Sequence, residues 1–424
     1  MSAEQPPRLS PPRPRTSGAP TALQGLRVID FSHFIAGPIC TLFLADLGAD
    51  VIKIENAAGG DDFRRFQPQI CGEGVPFLWV NRNKKGMVLD LTNEAARRIA
   101  VQLITDADIL VENFSNGVME RFGLGYDAMQ KLNPRLIYCS VSAYGRDGAM
   151  ADRLGFDPVV QAETGFMSLN GFPEQAGVRT GPAVMDISTG MMAAIAVLGA
   201  LAARQTTGRG QRVETALFDT ATLMLGFHAP SYLATGRNPA RSGNRSADTA
   251  PTGTFETADG SLYISCANDR TYRRLVTKVL GRPDLAEDGR FATPHERLKH
   301  RGELATIIEE ILANDVSEAW ATKMHAAGVP AGVVRTVEGA FRSAEMAERG
   351  LASSIPHPTV GEVPNIGSAL RFSETPVVDP VAAPMLGQHT VDILKRALGF
   401  GPEQIAEAAA QGAFGATSFS STAD

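Results

Sequence analysis

LRVIDFSHFIAGPICTLFLADLGADVIKIE, residues 26–55, decides the fold. Leu26 to Phe31 is an apolar, partly β-branched run, Gly37-Pro38 breaks it and sets a helix start, Gly48 ends that helix, and DVIKIE (50–55) returns to strand. The stretch is a βαβ unit, and such crossovers are right-handed almost without exception. The pattern repeats with a strand at GMVLDLT (86–92), a helix from about Glu94 to Thr105 and a strand at DILVENF (108–114). A further helix ends near Leu132, and LIYCSVSAYG (136–145) is the next strand. Strands alternating with helices predict an α/β fold with a doubly wound parallel sheet.

In such sheets ligands sit outside the carboxyl ends of the strands. DFSHFIAGP (30–38), KIENAAGG (53–60), VENFSNG (111–117) and VSAYGRDG (141–148) are therefore the candidate ligand loops. RVETALFD (212–219) reads as another strand, and a Gly-, Asn- and Arg-rich linker from about Ala234 to Pro251 leads to a hairpin turning at Asp259-Gly260. Helical, charged segments follow to about Ala327, and PMLGQHTVDILKRALGF (384–400) has the period of a helix packed back on the first domain. The expected organisation is a disordered tail at 1–22, a large α/β domain at 23–225, a linker and small α+β domain at 226–340, and a return to the large domain with a C-terminal tail at 341–424.

With 424 residues, 44 % hydrophobic and 20 % charged, the chain has the composition of a globular protein. A net charge of −6 gives no footprint for a nucleic-acid backbone. No apolar run of roughly 20 residues lacks polar or glycine breaks, and the Pro- and Arg-rich N-terminus has no apolar signal core, so a cytoplasmic protein without membrane partners is expected. Cys40, Cys71, Cys139 and Cys266 show no CxxC spacing, and His295 and His300 in HERLKH miss H-E-x-x-H by one residue, so no metal is expected.

The first loop lacks GxGxxG and the chain has no Walker loop, so nicotinamide and P-loop chemistry both fall away. Asp30, Ser32 and His33 are too close in sequence for a triad by spacing, and no G-x-S-x-G elbow accompanies them. His33 reads as structural or as a pocket wall. Arg82, Lys84, Lys85 and Arg121 near strand ends suit a phosphorylated ligand, although solvated surface charge is the usual role of each. Asp186 stands alone ahead of a long apolar run, in GPAVMDISTGMMAAIAVLGAL (181–201). Local rules favour a helix cap there. A carboxylate at the positive end of a helix dipole is also kept ionised, as a nucleophile requires.

With these residues in view, the chain resembles the family III CoA-transferases, the group containing formyl-CoA transferase, carnitine-type CoA-transferases and 2-methylacyl-CoA racemases. The marks are residues 26–55, NRNKKGMVLDL (81–91), ILVENFSNGVMERFGL (109–124), LNPRLIYCSVSAYG (132–145), FDPVVQAETG (156–165), D-x-x-T-G at Asp186, TGRGQRVETALFD (207–219) and LGQHT (386–390), in that order from Leu23 to about Phe400.

The resemblance implies that Asp186 attacks an acyl-CoA thioester, passing through an aspartyl mixed anhydride and an aspartyl-CoA thioester before an acceptor carboxylate completes the exchange. It implies no permanently bound cofactor, with CoA thioesters and a small carboxylic acid as substrates. It carries CoA contacts onto Ile35, Ala36, Leu89 to Thr92, Asn113, Phe114, Ser115 and Arg121, with Phe156 and Asp157 beside them. Asn56 stands where formyl-CoA transferase has an arginine, so phosphate contacts pass to Arg82 or Lys84. It also implies an interlocked, ring-like homodimer.

Racemases of the family carry G-H-D where this chain has GFD, residues 155–157. Phenylalanine moves no proton, which favours transferase over the alternative, a racemase or isomerase. SGNRSADTAPTG (242–253) replaces the polyglycine loop of the oxalate-using enzyme, and Ile35 replaces a glutamine of its first loop. Oxalate is thus disfavoured as acceptor. Arg237, Arg241 and Arg245 are candidates for the distal carboxylate of a dicarboxylic acyl group such as succinyl.

Overall fold

The computed structural model describes residues 9–15 and 18–415, and the chain divides into two compact units. The larger holds Met1–Phe166, Thr180–Ala229 and Ala344–Asp424, and the smaller holds Met167–Arg179 and Pro230–Ser343. Of the tail expected to be disordered, residues 1–8 and 16–17 lie outside the described residues, as do 416–424 of the C-terminal tail. Residues 9–15 run against the larger unit: the Ser354 amide donates to Ser10 O at 3.0 Å, and the Arg15 amide donates to Asp379 Oδ1 at 2.8 Å.

The larger unit is built on six strands, β1 (Arg27–Asp30), β2 (Asp50–Glu55), β3 (Lys84–Val88), β4 (Ile109–Glu112), β5 (Ile137–Ser142) and β6 (Arg212–Ala216). They form one parallel sheet in the order β3-β2-β1-β4-β5-β6. Alternation along each strand separates two apolar layers. Ile29, Ile52 and Leu110 pack with α2 (Glu94–Thr105), α3 (Tyr126–Leu132) and the helix Thr390–Leu398. Val28, Val51 and Ile109 pack with α1 (Ala36–Asp46) and α5 (Val184–Thr207) on the other face. The strand order reverses between β1 and β4, which opens a crevice at their carboxyl ends.

Element boundaries differ from the sequence reading, among them those of β3 and of the strand at 212. β3 begins at Lys84 and ends at Val88, because Lys84 and Lys85 find carboxylates, Asp30 at 3.1 Å and Asp50 at 2.7 Å, while Asp90 turns the chain by accepting from the Thr92 amide at 3.0 Å. The strand at 212 stops at Ala216, and Leu217–Met224 is helix α6.

α5 is long and apolar enough, by length and composition, to cross a membrane, and it is the one such helix among the described residues. The glycine and polar breaks seen in the sequence lie within it; Thr189, Gly190, Ala193, Val197 and Ala200 are buried in its unit. The small residues permit close approach to α1. A Cβ at Gly190 would lie 2.6 Å from Ala36 O and 2.6 Å from Ile39 Cγ2. Gly190→Val is expected to cost about 1–3 kcal/mol and to displace the start of α1, measured as a lower thermal midpoint.

The smaller unit pairs β7 (Thr252–Glu256) with β8 (Ser261–Ser265), and β8 with β9 (Ala331–Val333), all antiparallel. Phe255, Leu262, Ile264 and Trp320 share its apolar core with the helices Arg301–Leu312 and Ser317–Ala327. Arg241, a candidate for a substrate carboxylate, instead donates to the carbonyls of Ser168, Phe172 and Gln175.

Candidate active site

Asp186 occupies the first turn of α5 but does not cap it; Ala183 is the N-cap residue and offers no side chain. The cap comes from outside the helix. Asp157, first residue of α4 (Asp157–Glu163), accepts the Met185 amide at 2.6 Å and the Asp186 amide at 3.2 Å through Oδ2. Its Oδ1 accepts from Gln161 Nε2, and Gln161 Oε1 accepts the Thr180 amide at 3.0 Å. Two carboxylates thus meet at one helix terminus.

The expectation that a helix start keeps Asp186 ionised is reversed. Burial, and secondly the neighbouring Asp157 charge, push its carboxyl from 3.8 up to about 7. A carboxylate poised there is easily desolvated for attack and changes protonation near neutral pH.

The first loop is fixed by opposing demands. Phe34 has a left-handed backbone (φ 62), a strained conformation for a bulky residue. Asp61 Oδ1 holds its amide at 3.2 Å, while Asn113 clasps its neighbour, accepting the His33 amide and donating to His33 O, both at 2.8 Å. Asp61 is itself held by Lys53 at 3.2 Å, and Lys53 donates to Ser32 O at 2.6 Å. Burial opposes ionisation of Asp61, yet Lys53 and His33 outweigh it and keep its carboxyl below the ordinary value. Beneath this, Asp30 accepts from Ser32 and from Thr41 (2.6 Å) and pairs with Lys84. Burial would raise Asp30, but Lys84 and Lys53 hold it down at about 2. Lys84 falls to about 8, mainly through burial, with Lys53 adding to the fall.

Leu89, Thr92 and Phe114 come together in a cleft of about 160 Å³ with Phe31, His33 and Asn56. The His33 and Phe114 rings lie 5.4 Å apart. Ile35 and Ala36 open α1, whose N-terminus no side chain caps. Ser115 lines a separate, polar cleft of about 170 Å³ with Glu112 and Arg146. Arg121, exposed at the end of the helix Val118–Arg121, lines neither cleft. Phe156 is 58 % exposed, with its ring 6.2 Å from Phe34.

Arg82 and Lys84, the candidates for phosphate contacts, are engaged inside the fold. Arg82 is buried against Asp46 at 2.5 Å, and Lys84 is enclosed by Asp30, Pro38 O and Asn81. The sequence reading missed Lys53, Asp61 and Arg146. A lysine at the centre of the apolar strand DVIKIE was the available signal, since a buried cation demands a buried partner. Nothing near Arg146 in the sequence marks its pairing with Glu112 at 2.8 Å, which fixes the loop after β4.

A parallel α/β unit with this crevice and these loops matches proteins that handle CoA thioesters along nearly its full length. The protein is a CoA-transferase. The description "CoA-transferase family III" matches residues 23–390, and the chain belongs to that family. It is 35 % identical to the succinyl-CoA:glutarate CoA-transferase of Mus musculus over 379 residues, covering 89 % of this chain and 87 % of the mouse protein. It is also 35 % identical to the succinate–glutarate CoA-transferase of Agrobacterium fabrum, over 88 % of this chain and 94 % of that one. Among solved structures, a CAIB/BAIF family protein from Brucella suis superposes with a TM-score of 0.80 at 35 % identity, covering 88 % of this chain and 98 % of the other.

Proposed function

We propose that the protein moves CoA between two carboxylic acids with Asp186 as nucleophile, acting on the cytoplasmic pool of CoA thioesters, with succinyl-CoA or a related dicarboxyl-CoA as donor. The observation that carries this reading is the placement of Asp186 in the first turn of α5, its amide fixed by Asp157, in a chain that belongs to CoA-transferase family III. The relatives named for succinyl-CoA and glutarate support the dicarboxylate class.

Asp186 attacks the thioester carbonyl, the C–S bond breaks, and CoA leaves as thiolate, giving a mixed anhydride. The thiolate attacks the aspartyl carbonyl, which releases the donor acid and forms the aspartyl-CoA thioester. The acceptor carboxylate attacks that thioester, expelling CoA thiolate and forming a second anhydride; the thiolate then attacks its acyl carbonyl, giving the new acyl-CoA and free Asp186. Each step exchanges one acyl bond for another, so thioester energy is kept. The uncapped amides of α1 are suited to developing negative charge on the reacting carbonyl. Ile35, Ala36, Asn113 and the Leu89–Phe114 cleft are the proposed CoA contacts. Incubation with succinyl-CoA, borohydride reduction and peptide mapping should place the modification on Asp186; an unmodified Asp186 alongside continuing turnover rejects this mechanism.

The acid/base alternative draws on the same Asp186 carboxyl, since a group titrating at about 7 suits proton exchange. Deuterium uptake at the α-carbon without any acceptor acid would favour it. The exposed Phe156, standing where racemases have histidine, favours transfer.

A homodimer belongs to the same proposal. Met191, Ile195 and Leu198 form an exposed apolar stripe on α5, and Leu223, Met224 and Phe227 extend exposed apolar surface just beyond. Such surface marks a protein contact, and a second copy of this chain is the proposed partner. Ile195→Lys is expected to shift sedimentation from dimer to monomer.

A further inference from the structure

The amino edge of the sheet, opposite the strand ends that open the crevice, holds a third cleft, of about 380 Å³. Arg13, Arg15, Arg349 and Arg371 line it, and among the described residues none of the four enters an ion pair with a carboxylate.

Two of these guanidinium groups reach one turn, and the turn itself carries a third arginine, Arg349. Arg13 Nη2 donates to Ala347 O at 3.3 Å, and its Nε would lie 3.3 Å from a Cβ at Gly350. Arg371 Nη2 donates to Arg349 O at 2.8 Å. The Arg349 side chain, exposed at the end of the helix Ala344–Arg349, has no hydrogen-bond partner among the described residues. Among the described residues the fixed anions on the wall are Asp46, Glu348 and Asp379. Asp46 is neutralised by Arg82. The charge balance of the cleft is therefore positive. Leu370, Phe372 and Pro376 supply an apolar wall beside the arginines.

Several guanidiniums facing a partly apolar cavity are the arrangement that recognises phosphoryl oxygens in an organic ligand. We propose that this cleft binds a pyrophosphate group, borne by a nucleoside diphosphate or free, at a site distinct from the CoA site.

The test is calorimetric titration of ADP and of inorganic pyrophosphate into CoA-free protein, because CoA itself carries a pyrophosphate and would fill this cleft too; R349E, which leaves the catalytic crevice intact, gives the binding to be subtracted. One binding event per chain that R349E lacks is expected. R349Q should weaken it at least tenfold and R349E abolish it, while both variants keep wild-type CoA transfer and far-ultraviolet circular dichroism. Equal affinities for the two probes assign the site to the bare pyrophosphate, and tighter ADP adds the nucleoside on the apolar wall. No heat from either probe overturns the proposal, as does unchanged affinity in R349E, or adenosine binding as tightly as ADP.

Discussion

Asp186→Asn should abolish CoA transfer, lowering kcat by at least roughly 10³-fold, because the amide cannot form the anhydride on which every later step depends. The same substitution should raise stability above neutral pH. In the folded chain the Asp186 carboxyl lies at about 7, above its ordinary value of 3.8. Between those values the unfolded chain has lost the proton that the folded chain keeps, so stability falls as pH rises from about 4 through about 7. Asparagine removes that fall. A gain of about 1–4 kcal/mol at pH 8, and none at pH 3, is the expected result of denaturant titration. A variant that is inactive and also less stable at pH 8 would show that Asp186 is a structural group.

Asp157 is the second strong lever. Asp157→Ala leaves the amides of Met185 and Asp186 without their acceptor and Gln161 Nε2 with Thr180 Oγ1 alone of its two, at a cost of about 1–3 kcal/mol. Because the first turn of α5 carries the nucleophile, transfer should fall about 10²-fold, the cost of misplacing a reacting group by roughly an ångström. Asp157→Asn separates charge from geometry. It retains one acceptor oxygen but removes the like charge, so the Asp186 carboxyl should drop and the acid limb of kcat/KM move to lower pH. An acid limb that stays in place in Asp157→Asn would mean that burial alone sets the Asp186 carboxyl.

The strand and helix succession from Leu26 to Tyr144 was legible because each element carries its own period and is bounded by breakers, such as Gly37-Pro38 and Gly48. Asp186 was visible as a lone acid before an apolar run. The source of the helix cap was not, because the capping carboxylate sits on another helix and acts across a tertiary contact. Local rules therefore gave Asp186 a role that belongs to Asp157. Arg82 and Lys84 misled for a related reason: in sequence a cation beside a strand looks solvated, and only the fold brings Asp46 and Asp30 against them. The loop at Phe34 lay beyond reading as well, since its left-handed backbone is held by Asp61 and Asn113 from two other strand ends.

Between Asp157 and Asp186 the chain leaves the larger unit after Phe166 and returns at Thr180. Gln161 ties the outgoing helix to that point of return, so the two acids are fastened together without relying on the segment that joins them. A protease nick within 167–179 would place the nucleophile and its capping acid on separate polypeptides. Those two pieces should remain associated through the sheet and α5, as a split enzyme whose reacting group still sits in its socket.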